Sequence, residues 1–183
     1  AQAEALKTQA EKLSFLVDAL VKSSRLDNGI LTLSPAPHPI QPLLDGAAAQ
    51  GLAAAGQRGI SLTVLPWEGA ARFDSKWTAE ALYNVLDNAL KYTPDEGEVE
   101  IALKKEGRMI RLSVSNTIAH PMERETLGRL FDRFYRGDQS RSSQTGSYGL
   151  GLSIAKGIVL AHRGKIRAES SGASLSVIVS LPV

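Results

Sequence analysis

The sequence contains no cysteine, so disulfide bonds and cysteine-ligated zinc sites are excluded from this chain. It also lacks any run of about 18 apolar residues and any visible secretory leader, so we expect a soluble chain. A charge excess is missing as well: 21 basic and 19 acidic residues leave a net charge of +2. This balance offers no global argument for binding nucleic acid or anionic lipid. What is present is 43% hydrophobic content over 183 residues, enough for one substantial core and a small appendage.

The first 28 residues carry a heptad pattern. Apolar or small residues recur at alternating spacings of three and four, at Ala3, Leu6, Ala10, Leu13, Val17, Leu20 and Ser24. This pattern predicts a long helix that needs partner helices, although a helix lying on its own domain is an open alternative. Because the chain starts within this helix, we expect a piece of a longer protein. Asn28 and Gly29 predict the helix end, and the prolines at 35, 37, 39 and 42 predict an extended linker with His38 solvated within it.

The remaining chain alternates helical and extended patterns. Helices are predicted over residues 40–57 and 150–162 and around 79–94, the last capped by Asp74 or Ser75. Strands are predicted over residues 60–65, 71–73, 98–104, 109–115, 165–169 and 175–181, several of them in hairpins. This mixture predicts an α+β fold, a two-layer α/β sandwich preceded by a long helix.

A polar stripe marks the helix around residues 79–94. Asn84, Asn88, Lys91 and Tyr92 share one face at helical spacing, and the other faces are apolar. Such residues are ordinary on an exposed helix, but asparagine is a mediocre helix former, so two of them in a helix interior call for a reason. An amide oxygen is a ligand suited to Mg²⁺ beside phosphates. The stripe therefore favours a site for a phosphate-bearing ligand.

A glycine-rich stretch lies about fifty residues further on. Tyr148, Gly149, Leu150 and Gly151 open an apolar helix, whose N-terminal N–H groups favour anionic phosphate. The preceding residues 137–147 are polar and have too little hydrophobicity to pack, which predicts a mobile flap. We expect Phe131 and Phe134 to anchor the root of that flap to the core.

Three stretches together resemble the sensor histidine kinases of two-component systems. NVLDNALKYTP resembles their N box, LFDRFYR their F box and YGLGLSIAK their G2 box, in the same order. The stretch AEKLSFLVDALVKSSRLDNG resembles the second helix of their dimerisation hairpin. The resemblance implies a Bergerat-type sandwich over residues 35–183 that binds ATP and Mg²⁺ under a lid, with the second dimerisation helix and linker over residues 1–34.

The resemblance also implies roles for individual residues. Asn88 would coordinate Mg²⁺, Lys91 would contact the phosphates, and Arg136 or Arg141 could reach the γ-phosphate. Related ATPases carry glutamate at the position of Asn84 to activate water, and an amide cannot take that proton. The implied ATP-binding residues are Asn84, Asn88, Lys91, Tyr92, Asn116, Arg136, Tyr148, Gly149, Leu150 and Gly151.

One stretch departs from the family pattern. Asn116 stands where these kinases carry the aspartate that accepts a hydrogen bond from adenine, and Ile118 and Ala119 replace nearby glycines. An amide oxygen can still accept, but through a weaker neutral hydrogen bond. We expect ATP binding to be weakened by these changes, not abolished.

The resemblance implies a protein histidine kinase that phosphorylates a histidine outside this chain. None of His38, His120 and His162 has the setting of the phosphoacceptor, and we interpret His162 as structural. The implied partners are a second copy of the kinase and a response regulator. The implied location is the cytoplasmic side of a bacterial inner-membrane sensor, which reaches the membrane through segments upstream. The alternative is a nucleotide-blind pseudokinase that serves as a signalling or dimerisation module.

Overall fold

A computed structural model describes residues 2–136 and 148–182 of the chain. Five helices and seven strands are described. In chain order they are α1 (Gln2–Asp27), β1 (Ala36–Pro39), α2 (Gln41–Gln57), β2 (Ser61–Val64), β3 (Ala70–Phe73), α3 (Ser75–Tyr92), β4 (Glu98–Glu106), β5 (Met109–Thr117), α4 (Arg124–Arg129), α5 (Gly151–Ala161), β6 (Lys165–Ser171) and β7 (Ser174–Pro182). No helix in these two ranges is long and apolar enough to cross a membrane.

The main sheet has five strands in the order β2-β4-β5-β7-β6. β2 pairs with β4 in parallel, and the other neighbours are antiparallel. Residues of β5 alternate between buried and half-buried positions, so Ile110, Leu112 and Val114 face the core. One face of the sheet is therefore covered by helices, and the predicted α+β two-layer architecture is confirmed.

A second, two-stranded sheet joins β1 to β3. Prolines are tolerated in β1 because this strand has only one neighbour and needs few ladder donors. The prediction that His38 is a solvated linker residue is wrong. His38 pairs with Ala71 in this sheet, is half-buried, and its ring lies 5.4 Å from the ring of Phe73. The prolines predicted extended chain correctly. They did not predict a strand, because the partner strand β3 lies more than thirty residues further along the chain.

The helical layer over the main sheet centres on α3, which packs against α2, α5 and β5. Its buried residues recur at helical spacing, and Val85 and Leu86 are both 0% exposed. α2 approaches closely because of Gly51, where an added Cβ would lie 3.0 Å from a methyl carbon of Leu90. The alanine-rich sequence of α2 thus serves close helix packing.

The N-terminal helix presents two stripes. One consists of Ala19 and Ser23, both buried, with the partly buried Leu16 and Leu26 packed against the core. An added Cβ at Gly157 of α5 would lie 3.0 Å from the Leu26 side chain, so the two helices touch there. The predicted heptad seam lies elsewhere on the helix and is exposed. Leu13, Val17 and Leu20, for example, are 63%, 49% and 42% exposed.

The N-terminus of α3 is capped by a buried carboxylate, as predicted. The Asp74 carboxylate accepts hydrogen bonds from the N–H groups of Trp77 at 3.0 Å and Ser34 at 2.8 Å. His162 accepts from the Asp74 N–H through Nε2 at 3.2 Å, and its Nδ1 lies 2.9 Å from the carbonyl oxygen of Ile158. The interpretation of His162 as structural therefore agrees with its contacts. Asp74 joins α3 to the chain that leaves α1, and His162 joins α3 to the end of α5.

Burial by itself would raise the pKa of the Asp74 carboxyl. The N–H groups of Ser34 and Trp77, together with His162, outweigh that effect and hold the pKa below its ordinary value. The unfolded chain therefore binds a proton at a higher pH than the folded chain does. The stability that this carboxylate contributes is present above its unfolded-state pKa and is lost as the pH falls through the folded-state pKa.

The substitution Asp74→Asn tests this linkage. An amide has one acceptor oxygen and no charge, so we expect the variant to lose about 1–2 kcal/mol of unfolding free energy at neutral pH. The difference from the parent protein should shrink as the pH is lowered below about 4. Urea unfolding at a series of pH values measures both quantities. A difference that stays constant down to acid pH would contradict the assigned pKa direction.

Candidate nucleotide site

A cavity of about 80 Å³ lies between α3 and the N-terminus of α5. Both elements that the sequence singled out contribute to it, although about sixty residues separate them. The predicted residues that line the cavity are Asn84, Asn88, Lys91, Tyr92, Tyr148, Gly149, Leu150 and Gly151. The packing of α3 against α5 thus brings the polar stripe and the glycine-rich stretch to one place.

The polar side of this cavity is one face of α3. Its opposite face is buried against α2, α5 and β5, so the polar residues are directed away from the core. The side chains of Asn84 and Asn88 are half-buried and have no hydrogen-bond partner among the described residues. Lys91 Nζ lies 2.6 Å from Asp87 Oδ2. The cavity wall therefore offers two unpaired amides and one charged pair.

Two glycines allow the chain to approach this wall closely. Gly149 has a φ of +70°, and a Cβ added there would lie 2.7 Å from the carbonyl oxygen of Tyr135. A Cβ added at Gly151 would lie 3.4 Å from Asn84 Oδ1, where it would partly fill the space beside the amide. Phe134 N–H donates to Gly149 O at 2.9 Å, which joins the two chain segments below the cavity. Any larger residue at Gly149 would push these segments apart.

The N-terminus of α5 has free hydrogen-bond donors. No side chain caps it, and the first intrahelical bond runs from Ile154 N to Leu150 O. Among the described residues, the N–H groups of Gly151, Leu152 and Ser153 consequently have no acceptor. Donors of this kind, at the positive end of a helix, favour an anionic group.

Several lining residues were not predicted. Asp87 lies on the same face of α3 as Asn84 and Lys91, at spacings of three and four, and this spacing could have identified it. Phe15 and Ala19 come from α1, and the Phe15 ring lies 6.2 Å from that of Tyr148. The heptad seam of α1 gave no signal for them, because they lie outside it. Four further lining residues are apolar or aromatic: Leu130, Tyr135, Leu152 and Ile154.

Asn116 does not line this cavity, yet its position is informative. It lies on the core-facing side of β5 between Val99 and Leu175, and it is 3% exposed. Its Nδ2 donates to Thr117 O at 3.0 Å, which leaves Oδ1 without a partner among the described residues. Since Val99 closely follows the end of α3, Asn116 lies at the same end of the sheet as Tyr92. The Oδ1 atom of Asn116 is thus a nearly buried hydrogen-bond acceptor outside the cavity lining.

The chain around residues 130–136 agrees only partly with expectation. Phe131 packs against the core as predicted. Phe134 does not, because it is 59% exposed and has a φ of +59° that turns the chain toward Gly149. Arg136 is half-buried and is not part of the cavity lining. The predicted flap, residues 137–147, lies outside the described residues.

The chain can now be compared with known proteins. Residues 73–183 match the family of histidine kinase-, DNA gyrase B- and HSP90-like ATPases. The signal transduction histidine-protein kinase BaeS of Escherichia coli (strain K12) is 33% identical over 180 residues, which cover 97% of this chain and 38% of BaeS. The chain therefore spans less than half the length of this relative.

Solved structures agree with the sequence comparison. The full-length histidine kinase ShkA in complex with AMPPNP superimposes with a TM-score of 0.83 at 25% identity, over 98% of this chain and 37% of ShkA. The histidine kinase ThkA, solved with the response regulator protein TrrA, gives a TM-score of 0.75 at 20% identity, over 94% of this chain and 48% of ThkA. The fold, including α1, is thus the histidine kinase fold.

The tight approach at Gly149 is tested by comparing two glycine substitutions. Gly149 and Gly107 both have positive φ, but an added Cβ at Gly107 would meet nothing within 4 Å. We expect Gly107→Ala to cost about 1 kcal/mol of unfolding free energy from backbone strain alone. Gly149→Ala should cost about 1–3 kcal/mol more, because its Cβ overlaps backbone atoms. Equal losses in urea unfolding would contradict the close contact with Tyr135.

Proposed function

Because the chain belongs to the family of histidine kinase-, DNA gyrase B- and HSP90-like ATPases, we propose that its cavity binds ATP with Mg²⁺ for transfer of the γ-phosphate to a histidine. The observation that carries the proposal is the meeting of two complementary surfaces. Unpaired amides and Lys91 on α3 face the uncapped N-terminus of α5. The two surfaces are close, because a Cβ added at Gly151 would lie only 3.4 Å from Asn84 Oδ1. A phosphate with its cation complements both surfaces, because the helix N-terminus favours the anion and the amide oxygens favour the cation.

The residues present fit Mg²⁺. This ion prefers oxygen ligands and keeps several waters while it bridges phosphates. The side chain of Asn88 supplies such an oxygen, and it has no competing partner among the described residues. Within residues 2–136 and 148–182, no group of three or more histidine, aspartate and glutamate side chains is arranged to hold a metal. Asn88 with the phosphates themselves would therefore hold the ion, which supplies charge neutralisation.

The phosphates would be bound mainly by fixed donors. The N–H groups at the start of α5 have no acceptor among the described residues, and Gly151 and Leu152 line the cavity. Lys91 adds a positive charge from the opposite wall. Tyr92 and Tyr148 provide aromatic surfaces at the cavity edge, and Asn116 would accept from the base with its unpaired oxygen. Positioning and electrostatic stabilisation of this kind are sufficient for phosphoryl transfer.

The site is better suited to transfer than to hydrolysis. Asn84 cannot accept a proton at neutral pH, so it cannot activate water as a general base. An acceptor imidazole is a nucleophile that needs no strong base. None of the three histidines of the chain lines the cavity described here: His38 lies in β1, His120 is in an exposed turn and His162 is tied to Asp74. The acceptor would therefore be a histidine elsewhere in the full protein or in its partner.

The partners follow from the same proposal. The exposed seam of α1 would pair with helices of a second copy, and residues 1–34 would belong to the dimerisation unit while 35–183 form the catalytic domain. A response regulator would then receive the phosphate, as suggested by ThkA, which was solved with TrrA. The relatives are named as sensor or signal transduction kinases. These names support the proposal that this domain lies on the cytoplasmic side of a bacterial membrane sensor.

Calorimetric titration with a non-hydrolysable ATP analogue, with and without Mg²⁺, tests the proposal. We expect Mg²⁺-dependent binding with a dissociation constant between about 1 μM and 1 mM. Asn88→Ala should abolish the dependence on Mg²⁺, because it removes the protein ligand of the ion. Asn28→Ala is the matched control, since Asn28 lies at the exposed end of α1.

Two results would count against this function. Failure of the parent protein to bind up to millimolar analogue would favour a nucleotide-blind signalling module. Unchanged Mg²⁺-dependent affinity in Asn88→Ala would show that Asn88 is not the metal ligand.

A further inference from the structure

A carboxylate lines the cavity that is proposed to bind a triphosphate. Asp87 is flanked by Asn88 and lies one helical turn from both Asn84 and Lys91. A negative charge at this place repels the phosphates unless a cation lies between them. Asp87 thus opposes the very ligand that the rest of the cavity favours.

Asp87 forms an ion pair within the cavity wall. Asp87 Oδ2 lies 2.6 Å from Lys91 Nζ, and neither side chain has another partner among the described residues. The two side chains are 38% and 34% exposed, so both can be reached from the cavity and from solvent. Among the lining residues that the structure describes, the one lysine is thus paired with the one carboxylate.

We propose that Asp87 is a positioning residue that makes nucleotide binding conditional on Mg²⁺, an inference that rests on the proposed function of this cavity. Without the metal, Asp87 holds Lys91 away from the phosphates and adds its own repulsion to them. With the metal bound beside Asn88, the carboxylate of Asp87 is attracted to the cation, directly or through water. Lys91 is then released to the phosphates.

The arrangement makes the two ligands cooperative through charges of this chain alone. Nucleotide without metal would be repelled by Asp87 and would find Lys91 already paired with that carboxylate. Nucleotide with Mg²⁺ would be free of this repulsion, because the cation attracts Asp87 and leaves Lys91 to contact the phosphates. Binding of the metal and binding of the nucleotide therefore favour each other by the same factor. Removal of the Asp87 charge should weaken this coupling from both sides.

The test measures the dissociation constant of a non-hydrolysable ATP analogue in excess Mg²⁺ and in excess chelator. For Asp87→Asn we expect binding without Mg²⁺ to become about three to ten times tighter, and binding with Mg²⁺ to become about two to five times weaker. The ratio of the two constants should therefore fall roughly tenfold.

Asp95→Asn is the matched control. Asp95 also forms an ion pair, with Arg58 at 2.8 Å, but it is 75% exposed and lies outside the cavity lining. Its substitution removes the same charge from the domain, and the ratio should not change. An equal fall in both variants would mean that the effect comes from net charge, and would overturn the inference.

A double-variant comparison separates positioning from a structural role. If Asp87 acts partly through Lys91, then Asp87→Asn should improve Mg²⁺-free binding less in a Lys91→Gln background than in the parent protein. The melting temperature of the unliganded protein should be nearly the same in all variants, because the exposed pair contributes little to stability. Identical effects in both backgrounds would show that Asp87 does not act through Lys91.

Failure of this inference and failure of the proposed function give different results. If the parent protein does not bind the analogue with Mg²⁺, the proposed function is wrong and the inference falls with it. If the parent protein binds with a strong Mg²⁺ dependence that Asp87→Asn leaves unchanged, the function stands and the role of Asp87 is refuted.

Discussion

The burial of one face of α3 is the constraint on which this site depends. Val85 and Leu86 are completely buried between α2, α5 and the main sheet, which fixes the rotation of the helix about its axis. With that rotation fixed, Asn84, Asn88 and Lys91 can only face the cavity. The polar stripe costs helix propensity, and packing of the opposite face offsets that cost. The same hydrophobic contacts thus stabilise the fold and fix the direction of the polar groups that line the cavity.

The cavity relies on groups whose charge or dipole does not change near neutral pH. Amides on α3 and backbone N–H groups at the start of α5 cannot take or give a proton there. Such a site can bind and neutralise phosphate, and Asn84 cannot act in it as a general base. This chemistry suits a domain that presents a phosphoryl group to a nucleophile located elsewhere. Asp87 and Lys91 are charged members of the wall on α3, and their opposite charges lie next to each other as an ion pair.

The N-terminal helix belongs to two surfaces at once. Leu16, Ala19, Ser23 and Leu26 form a stripe that packs on the catalytic domain, while the heptad seam is exposed on another side. Ion pairs of Lys22 with Glu80 and of Asp27 with Arg133 flank the packed stripe. Because Phe15 and Ala19 also line the cavity, a movement of α1 would alter the cavity wall. The helix therefore contributes both to the cavity wall and to the exposed seam.

The sequence alone was sufficient to predict most elements of this protein, but β1 (Ala36–Pro39) and α4 (Arg124–Arg129) were not predicted. Periodicity located the helices and hairpins, Gly29 and Asp74 marked helix ends, and spacing placed Asn84, Asn88, Lys91 and Tyr92 on one face. These features depend on neighbours within a few residues, so local chemistry determines them. The sequence also indicated a heptad seam on α1, but it left open which side of that helix would contact the domain.

Tertiary structure alone decided which distant groups meet. His38 pairs with Ala71 and lies beside the ring of Phe73, and Phe15 reaches the cavity next to Tyr148, although nothing local marks either contact. Asp87 was not predicted, although its pairing with Lys91 is a local contact at the i, i+4 spacing of one helix. Phe134 is exposed because a positive φ turns the chain at that point. The contacts of His38 and Phe15 form between segments far apart in the chain, and only the packed fold determines their distances.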